Sequence, residues 1–370
     1  MDLIYILGVF EITKESYDQV SKSLDGIISQ LNNLNEIVID GRTFKIEKYL
    51  CCDLKMLAIL YGINGANSNQ PCIWCYYNIK EDIQDNHGMF IHNKMQISRT
   101  LDEATRIANL GLKDGLNGYV SRPIINIDFK FCMFDSLHLF LRITDKLFTI
   151  LFDYIESCDL GEEKLEKRPM MKLFLNFLTI DCKLSNVYYL KQKNNSGEKI
   201  KIRSLNSNEL DKIFKTIAEV TNTDENGLVL TGLVYILKPS QVKLVELEVI
   251  NKLWLSFYKF YEIIKNRKIP DSIDTLTSSL KYFFHILKVH RFESCLNLTP
   301  YLHTLIHHLP VFLEIHGDLD IFNLQGLEKL NHVLKAAYFK NTNKKSQIYL
   351  KQLLQIRNRN ELNNFNYEFH

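Results

Sequence analysis

The spacing of hydrophobic residues divides the chain into a short region with strand patterns and a longer region with helical patterns. Leu3 to Glu11 is an apolar run rich in Ile, Val and Phe, which predicts a buried strand. From Thr13 onward apolar residues recur at helical spacing, and Thr43 to Glu47 alternates apolar and polar residues, as a half-buried strand does. The pattern therefore predicts a strand–helix–strand opening that ends at Asp53 and is followed by a short helix.

Helical spacing dominates the rest of the chain. The clearest segment runs from Phe134 to Glu156, where apolar residues follow one face and Asp135, His138 and Arg142 lie on the opposite, polar face. Another helix is predicted to begin at Thr299-Pro300, because Thr is a preferred N-cap and Pro a preferred first helical residue. Further helices are predicted at about residues 206–220, 240–266 and 272–290.

A hairpin is the expected exception within this helical region. The turn Asn-Asn-Ser-Gly at residues 194–197 lies between apolar-containing flanks that extend from Tyr188 to Ile202. Strands are otherwise expected only near the N-terminus. The predicted fold class is therefore α+β, with an α/β layer followed by a large all-helical block.

Composition narrows the class of protein and its compartment. The chain has 370 residues, of which 46% are hydrophobic and 24% charged, as in a globular protein with more than one core. Its eight cysteines do not indicate a disulfide framework, which favours a reducing compartment. No basic region precedes the N-terminal apolar run, and charged residues interrupt the later apolar stretches. We therefore expect neither secretion nor membrane insertion.

Charge and motifs point to a local nucleic-acid surface rather than a small-molecule site. The net charge of +2 gives no global attraction for DNA. No dinucleotide-binding glycine motif, P-loop or Ser-His-Asp pattern is present, so no small-molecule substrate is expected. A C-terminal run without acidic residues either follows a phosphate backbone or forms a solvated helix face. Its basic residues are Lys329, Lys335, Lys340, Lys344, Lys345, Lys351, Arg357 and Arg359.

Cysteine and histidine pairs that lie far apart in the chain predict a metal site. Cys72 and Cys75 form a CxxC motif, and the segment Tyr-Leu-His-Thr-Leu-Ile-His-His-Leu-Pro carries His303, His307 and His308. Two thiolates and two imidazoles complete a tetrahedral Zn²⁺ site. His303 and His307, at i and i+4, share a helix face. Helical spacing therefore favours His307 over His308, unless the helix unwinds or tightens before the proline that follows.

Four segments share residues and spacing with one known family. They are Thr43-Phe44-Lys45-Ile46 followed by Asp53, Cys72-Ile73-Trp74-Cys75, Asp135-Ser136-Leu137-His138, and Tyr301 to Asn331. On these residues the chain resembles the catalytic subunit of the V(D)J recombination-activating recombinase and the related Transib-type DDE transposases. The interval between the aspartate and the CxxC motif agrees with the family, and the last segment aligns without a gap. The resemblance is dense over residues 41–78, 130–150 and 299–357.

The resemblance implies a fold and partners. The family fold is an RNase H-like sheet interrupted by a long helical, zinc-binding insertion. In this chain it implies a partial RNase H-like catalytic core at residues 1–70, a helical zinc-binding insertion at 71–317, and helices with the catalytic glutamate and the basic run at 318–370. Family members act on DNA as dimers, which implies transposon ends or target DNA as a partner, a homodimer, and nuclear localisation, or cytoplasmic localisation if inactive.

The resemblance also implies site residues. Asp53 corresponds to the second of the family's two catalytic aspartates and Glu328 to its glutamate, which bind Mg²⁺ or Mn²⁺. Taken alone, Asp53 would be interpreted as a helix N-cap and Glu328 as a solvated side chain. His138 is a further candidate for contact with the phosphate. The zinc ligands implied by the family register are Cys72, Cys75, His303 and His308.

One departure from the family affects the expected activity. The first catalytic aspartate of the family lies upstream of the position equivalent to Leu3, and Asp2 is too close to Asp53 to replace it. We therefore expect a truncated or inactive remnant of a DNA transposase, with little or no cleavage by this chain alone. An alternative is a non-catalytic, zinc-stabilised module that binds DNA or protein. A third hypothesis is a helical interaction protein with neither metal nor DNA.

Overall fold

The structure of the protein, a computed structural model, describes most of the chain. The described residues are 14–79, 83–84, 90–91, 97–111, 116–159, 168–185, 189–194, 197–202, 205–223, 229–237, 241–265, 272–290, 299–341 and 352. The predicted strand at Leu3 to Glu11 and the basic residues from Lys344 onward lie outside these ranges.

Helices make up most of the described residues. The α-helices are α1 (Tyr17–Asn33), α2 (Leu54–Leu60), α3 (Leu101–Asn109), α4 (Ser136–Cys158), α5 (Pro169–Asn176), α6 (Ser207–Glu219), α7 (Gly232–Leu237), α8 (Gln241–Lys265), α9 (Ile273–Val289), α10 (Pro300–His303), α11 (Leu309–His316) and α12 (Gln325–Asn341). Turns of π-helix occur at Phe177–Asp181 and Thr304–His308, and the second joins α10 to α11. Within the described part of the chain, no helix combines the length and apolar character needed to cross a membrane.

The strands are short and occur in pairs. The antiparallel pairs are β1 (Glu36–Ile39) with β2 (Arg42–Lys45), β4 (Ile83–Gln84) with β5 (Phe90–Ile91), β7 (Tyr189–Asn194) with β8 (Gly197–Ile202), and β9 (Thr221–Thr223) with β10 (Val229–Thr231). The remaining pair, β3 (Leu50–Cys52) with β6 (Cys132–Phe134), is parallel. The described chain is thus mostly helical with a few short strands, consistent with the predicted α+β class.

The predicted helices occur where the sequence pattern indicates them. α1 covers the pattern that follows Thr13, α4 the segment from Phe134, and α6, α8 and α9 the three segments between residues 206 and 290. Thr299 accepts a hydrogen bond from the backbone N–H of Leu302 (3.3 Å), and Pro300 is the first residue of α10, as predicted. The predicted hairpin is present as β7 and β8.

Two expectations about strands are wrong. The segment from Thr43, expected to be half-buried, is exposed along the whole of β2, which among the described residues pairs only with β1. Strands are also not confined to the N-terminal region, since β6, at residues 132–134 within the predicted insertion, pairs with β3. With only three residues, β6 is too short to show an alternating pattern. The predicted domain boundaries stay predictions.

The largest part of the core lies around α4 and α8. Phe148 of α4 packs against Trp254 of α8 with ring centroids 4.9 Å apart. Phe257 of α8 contacts Phe140 of α4 at 5.8 Å and Phe283 of α9 at 6.4 Å. All five rings are buried, and aromatic contacts of this kind add to the free energy gained by burial. This packing fixes the direction of α4, whose first turn follows directly after β6.

Candidate metal centre and adjacent carboxylate cluster

Close contacts hold both the turn after α2 and the CxxC loop, residues 72–75, in place. The turn after α2 depends on Gly62, which has a φ of +62° and where an added Cβ would lie 2.1 Å from the backbone oxygen of Ser121; this position therefore requires glycine. In the loop itself, Trp74 is fully buried and donates from its indole N–H to the backbone oxygen of Cys132 (2.8 Å). Because Cys132 is the first residue of β6, this bond fixes the loop against that strand.

Both histidines of the predicted site come from the helical segment after Thr299. His303 ends α10, and His308 ends the following π-helical turn. In a π-helix the hydrogen bonds run between residues five apart, so a residue five positions on lies much nearer to the same face than it does in an α-helix. The Nε2 atoms of His303 and His308 consequently lie 3.1 Å apart. The helix unwinds before Pro310, one of the two departures from α-helical geometry that the choice of His308 requires, since a π-helical turn is wider than an α-helical one.

The four predicted ligands form one buried cluster. Cys72 Sγ lies 3.2 Å from His308 Nε2, and Cys75 Sγ lies 3.3 Å from His303 Nε2. All four ligand atoms are within 4.8 Å of one another. In a tetrahedral zinc site, bonds of about 2.3 Å to sulfur and about 2.0 Å to nitrogen place neighbouring ligand atoms roughly 3.3 to 3.8 Å apart. The cluster therefore has the donor atoms and the spacing to hold a metal ion such as zinc.

His307 lies outside this cluster. Its side chain is buried, and its ring packs beside that of His303 with centroids 4.9 Å apart. The α-helical spacing that favoured His307 does not apply across a π-helical turn. Of the two candidates that the spacing left open, His308 is the one that meets the cysteines.

Burial and mutual contacts shift the pKa values in the cluster. Burial raises the pKa of the Cys72 thiol, but its hydrogen bond with Cys75 and the charges of His308 and His303 outweigh this effect, and the pKa falls well below its usual value. Burial and the neighbouring Cys72 raise the pKa of Cys75. Burial also lowers the pKa of His303. A thiolate and neutral imidazoles are the forms that bind metal ions.

A second cluster of polar side chains lies at the carboxyl ends of β3 and β6. Cys52 and Phe134 are paired as the last residues of the two parallel strands, so Asp53 and Asp135, which follow them, emerge at the same edge. Asp53 is the N-cap of α2 and accepts a hydrogen bond from the backbone N–H of Met56 (2.8 Å). Asp135 is the N-cap of α4. The expectation that Asp135 lies on the exposed face is wrong, since its side chain is 0% exposed.

Asp135 joins three parts of this edge. Its carboxylate accepts hydrogen bonds from the backbone N–H groups of Leu137 (3.0 Å), His138 (3.3 Å) and Leu324 (3.1 Å), and it pairs with His138 Nδ1. A carboxylate offers about four acceptor positions, which these contacts fill. Asp135 is therefore an orienting group and not a free metal ligand. The sequence analysis missed this role because it placed Asp135 inside a helix that begins at Phe134. The signal that could have found it is the residue type, since Asp is a preferred N-cap and α4 begins at Ser136.

His138 lies within electrostatic reach of both predicted catalytic carboxylates. Its hydrogen bond with Asp135 raises its pKa, burial opposes this, and the charges of Asp135, Glu328 and Asp53 raise the pKa further. Glu328 is exposed in the first turn of α12, just after the Leu324 that Asp135 holds. Asp53 and His138 thus lie just beyond the paired ends of β3 and β6, and the charge of Glu328 also acts on His138. Their catalytic roles stay predictions.

Tyr301 connects the carboxylate cluster with the metal centre. Burial and the charge of Asp53 raise its pKa, while the nearby Arg142 lowers it. Tyr301 lies two residues before His303 in α10, so one short helix contributes to both clusters.

Comparisons with known proteins add no assignment. No family model matches the chain, and no curated protein matches it significantly. A functional assignment therefore depends on the chemistry of the two clusters.

Proposed function

We propose that the chain is a recombinase-like DDE DNA transposase with an RNase H-like core and a zinc-braced helical insertion. The observation that supports this proposal is that Asp53 and Asp135 follow the paired ends of β3 and β6, and that the charges of Asp53 and Glu328 both act on His138 in the first turn of α4. Functional groups of open parallel sheets gather at this edge. The resemblance described above assigns the same residues to metal-dependent cleavage and strand transfer of DNA.

Asp53 and Glu328 would bind Mg²⁺ or Mn²⁺ in this proposal. Carboxylate oxygens are the ligands that these hard cations prefer, and a bound ion supplies Lewis-acid activation of the phosphate and of the attacking oxygen. His138, whose pKa the neighbouring carboxylates raise, would donate a charge-assisted hydrogen bond to a phosphate oxygen. Asp135 would hold the imidazole in the orientation for this contact.

Zinc in the cysteine–histidine cluster would have a structural role. Four protein ligands complete a tetrahedral site and leave no position for a reactive water. The cluster would brace the helix that carries Tyr301 against the loop fastened to β6. The metal centre would thereby hold the carboxylate edge in place.

Binding of Mn²⁺, measured by electron paramagnetic resonance, tests the carboxylate assignment in this chain directly. Asp53→Asn and Glu328→Gln should each weaken Mn²⁺ binding about tenfold or more, a loss at least as large as that caused by removing an outer-shell partner of a metal. Asn remains a good N-cap, so the first substitution should leave α2 intact. The matched control is Glu314→Gln, at an exposed carboxylate on α11. Unchanged Mn²⁺ binding in both variants would contradict the proposal.

Cleavage is expected to be weak in the chain by itself. The resemblance assigns Asp53 and Glu328 to two of the three carboxylates that the family uses, so a hairpin-forming DNA duplex with Mg²⁺ should yield little product. Binding of that duplex should nonetheless be detectable and should tighten when Mn²⁺ is added. A DNA affinity that does not change when Mn²⁺ is added would favour the second candidate function.

The second candidate is a non-catalytic, zinc-stabilised module that binds DNA. Helix α12 exposes Lys329, Lys335 and Lys340, and Glu328 is its single acidic residue. Phosphate contacts from such lysines make DNA affinity fall steeply with salt. The slope of log affinity against log salt concentration becomes more negative by roughly one unit for each contact. This candidate predicts that replacing the three lysines by Gln reduces both affinity and salt dependence, while Glu328→Gln changes neither.

A further inference from the structure

Arg99 is buried beneath the CxxC loop and belongs to neither cluster described above. It is 2% exposed. Its Nε donates to the backbone oxygens of both Cys72 (3.0 Å) and Cys75 (3.1 Å), and one terminal nitrogen donates to the backbone oxygen of Asn117 (2.6 Å). The guanidinium therefore binds both cysteine residues of the candidate metal centre through their main chain.

The backbone around Arg99 holds the same loop. The N–H groups of Ser98 and Arg99 both donate to the backbone oxygen of Trp74, at 2.9 and 3.1 Å. Three carbonyl groups of the CxxC loop thus accept hydrogen bonds from two consecutive residues. Because the orientation of each carbonyl constrains the direction of the neighbouring Cα–Cβ bonds, these bonds restrict where the two thiols can point.

Aromatic rings hold the guanidinium in place. Its central carbon lies 4.8 Å from the ring centroid of Tyr76 and 4.7 Å from that of Tyr119. A guanidinium stays charged inside proteins, and burying a charge without partners is costly. The two aromatic faces and the carbonyl oxygens offset this cost, so the arrangement is stable only when the CxxC loop has this conformation.

We infer that Arg99 is a positioning residue for the metal centre. By binding the backbone oxygens of Cys72 and Cys75, it holds the CxxC loop in the conformation in which both Sγ atoms meet His303 and His308. The inference deepens the proposed structural metal site and rests on it. Outer-shell partners of this kind change metal affinity by about 10- to 100-fold.

The sequence contains little signal for this role. Arg99 comes directly before Thr100, which caps α3 by accepting a hydrogen bond from the backbone N–H of Glu103 (3.2 Å). A charged residue just before a helix is usually exposed. Arg99 differs from a surface residue in its burial and its contacts, above all those with the backbone oxygens of Cys72 and Cys75.

Competition for Zn²⁺ between the protein and a chromophoric chelator tests the inference. Arg99→Gln should weaken zinc binding by about 10- to 100-fold, and Arg99→Lys, which keeps the charge but not the fork of donors, should lie between this variant and the wild type. The control is Arg106→Gln, an exposed arginine on α3, which should bind zinc as the wild type does. In Co²⁺-loaded protein, the thiolate-to-metal absorption of Arg99→Gln should change in intensity, which a loss of stability alone would not produce.

The outcomes distinguish a failure of the positioning role of Arg99 from a failure of the metal site itself. A folded Arg99→Gln variant with wild-type zinc affinity and an unchanged Co²⁺ spectrum would overturn the inference and leave the metal site standing. A wild-type protein that binds no zinc would overturn both. If Arg99→Gln does not fold, hydrogen exchange of the wild-type protein provides the test. Metal removal should speed exchange at the backbone amides of Ser98 and Arg99. Unchanged exchange at these amides would overturn the inference.

Discussion

At the scale of single residues, Asp135 organises the carboxylate edge. One buried carboxylate caps α4, pairs with His138 and holds the backbone of Leu324, just before the helix that carries Glu328. Removing one partner of such a network leaves buried donors without an acceptor, at a cost of about 1 to 3 kcal/mol for each. The position of Glu328 relative to Asp53 thus depends on a residue that is not itself available to bind a metal ion.

The contact between Asp135 and His138 should make stability depend on pH. The pKa of His138 is raised above its unfolded value of about 6.5. The contribution of the pair to the free energy of unfolding is therefore fully present below about pH 6.5 and is lost as pH rises through the folded-state pKa. The stability difference between wild type and His138→Gln, measured by urea unfolding, should be larger at pH 6 than at pH 9.

The matched control for this titration is His332→Gln, at an exposed histidine on α12. Subtracting its effect on unfolding at each pH isolates the contribution of the contact with Asp135. A stability difference for His138→Gln that stays constant between pH 6 and pH 9 would show that the contact with Asp135 does not stabilise the protonated imidazole.

At the scale of elements, predictability follows the length of the local pattern. The helices α6 and α10 could be located because their ends carry local signals, a complete capping box between Asn206 and Glu209 and the Thr299-Pro300 start. Strand β6 could not be located, because three residues show no alternating pattern and because its partner β3 lies about 80 residues earlier in the sequence. The metal ligands could be predicted from residue type, whereas Arg99 acts through backbone atoms that no sequence pattern reveals.

The π-helical turn decides which histidine joins the two cysteines in the candidate metal centre. His308→Ala should lose zinc almost completely, since removing a ligand should cost more than the 10- to 100-fold typical of outer-shell partners. His307→Ala should keep the metal and lose only packing around its buried ring. Zinc content per chain and the Co²⁺ spectrum measure both effects. Retention of metal in His308→Ala together with loss in His307→Ala would mean that this segment is an ordinary α-helix in solution.

At the scale of the whole molecule, the candidate metal centre brings distant parts of the chain together, and a bound metal ion would cross-link them. It joins Cys72 to His308, 236 residues away, and Cys75 to His303, 228 residues away. The Sγ of Cys51 in β3 also donates to the backbone oxygen of Phe322 (3.1 Å), so the C-terminal part meets the strands at a second point. A cross-link over a loop of this length removes unfolded-state entropy worth on the order of 5 kcal/mol.

Removal of zinc should therefore lower the Tm and also weaken Mn²⁺ binding at the carboxylate edge. Both effects have one cause, because α10 carries His303 on the metal side and Tyr301 beside Asp53. Calorimetry of metal-loaded and chelator-stripped protein measures the first effect, and electron paramagnetic resonance of Cys72→Ser with added Mn²⁺ measures the second. Cys158→Ser, at a cysteine outside the cluster, should change neither. If stripping lowers the Tm while Mn²⁺ affinity stays at the wild-type value, the metal centre stabilises the helical part alone and does not hold the carboxylate edge in place.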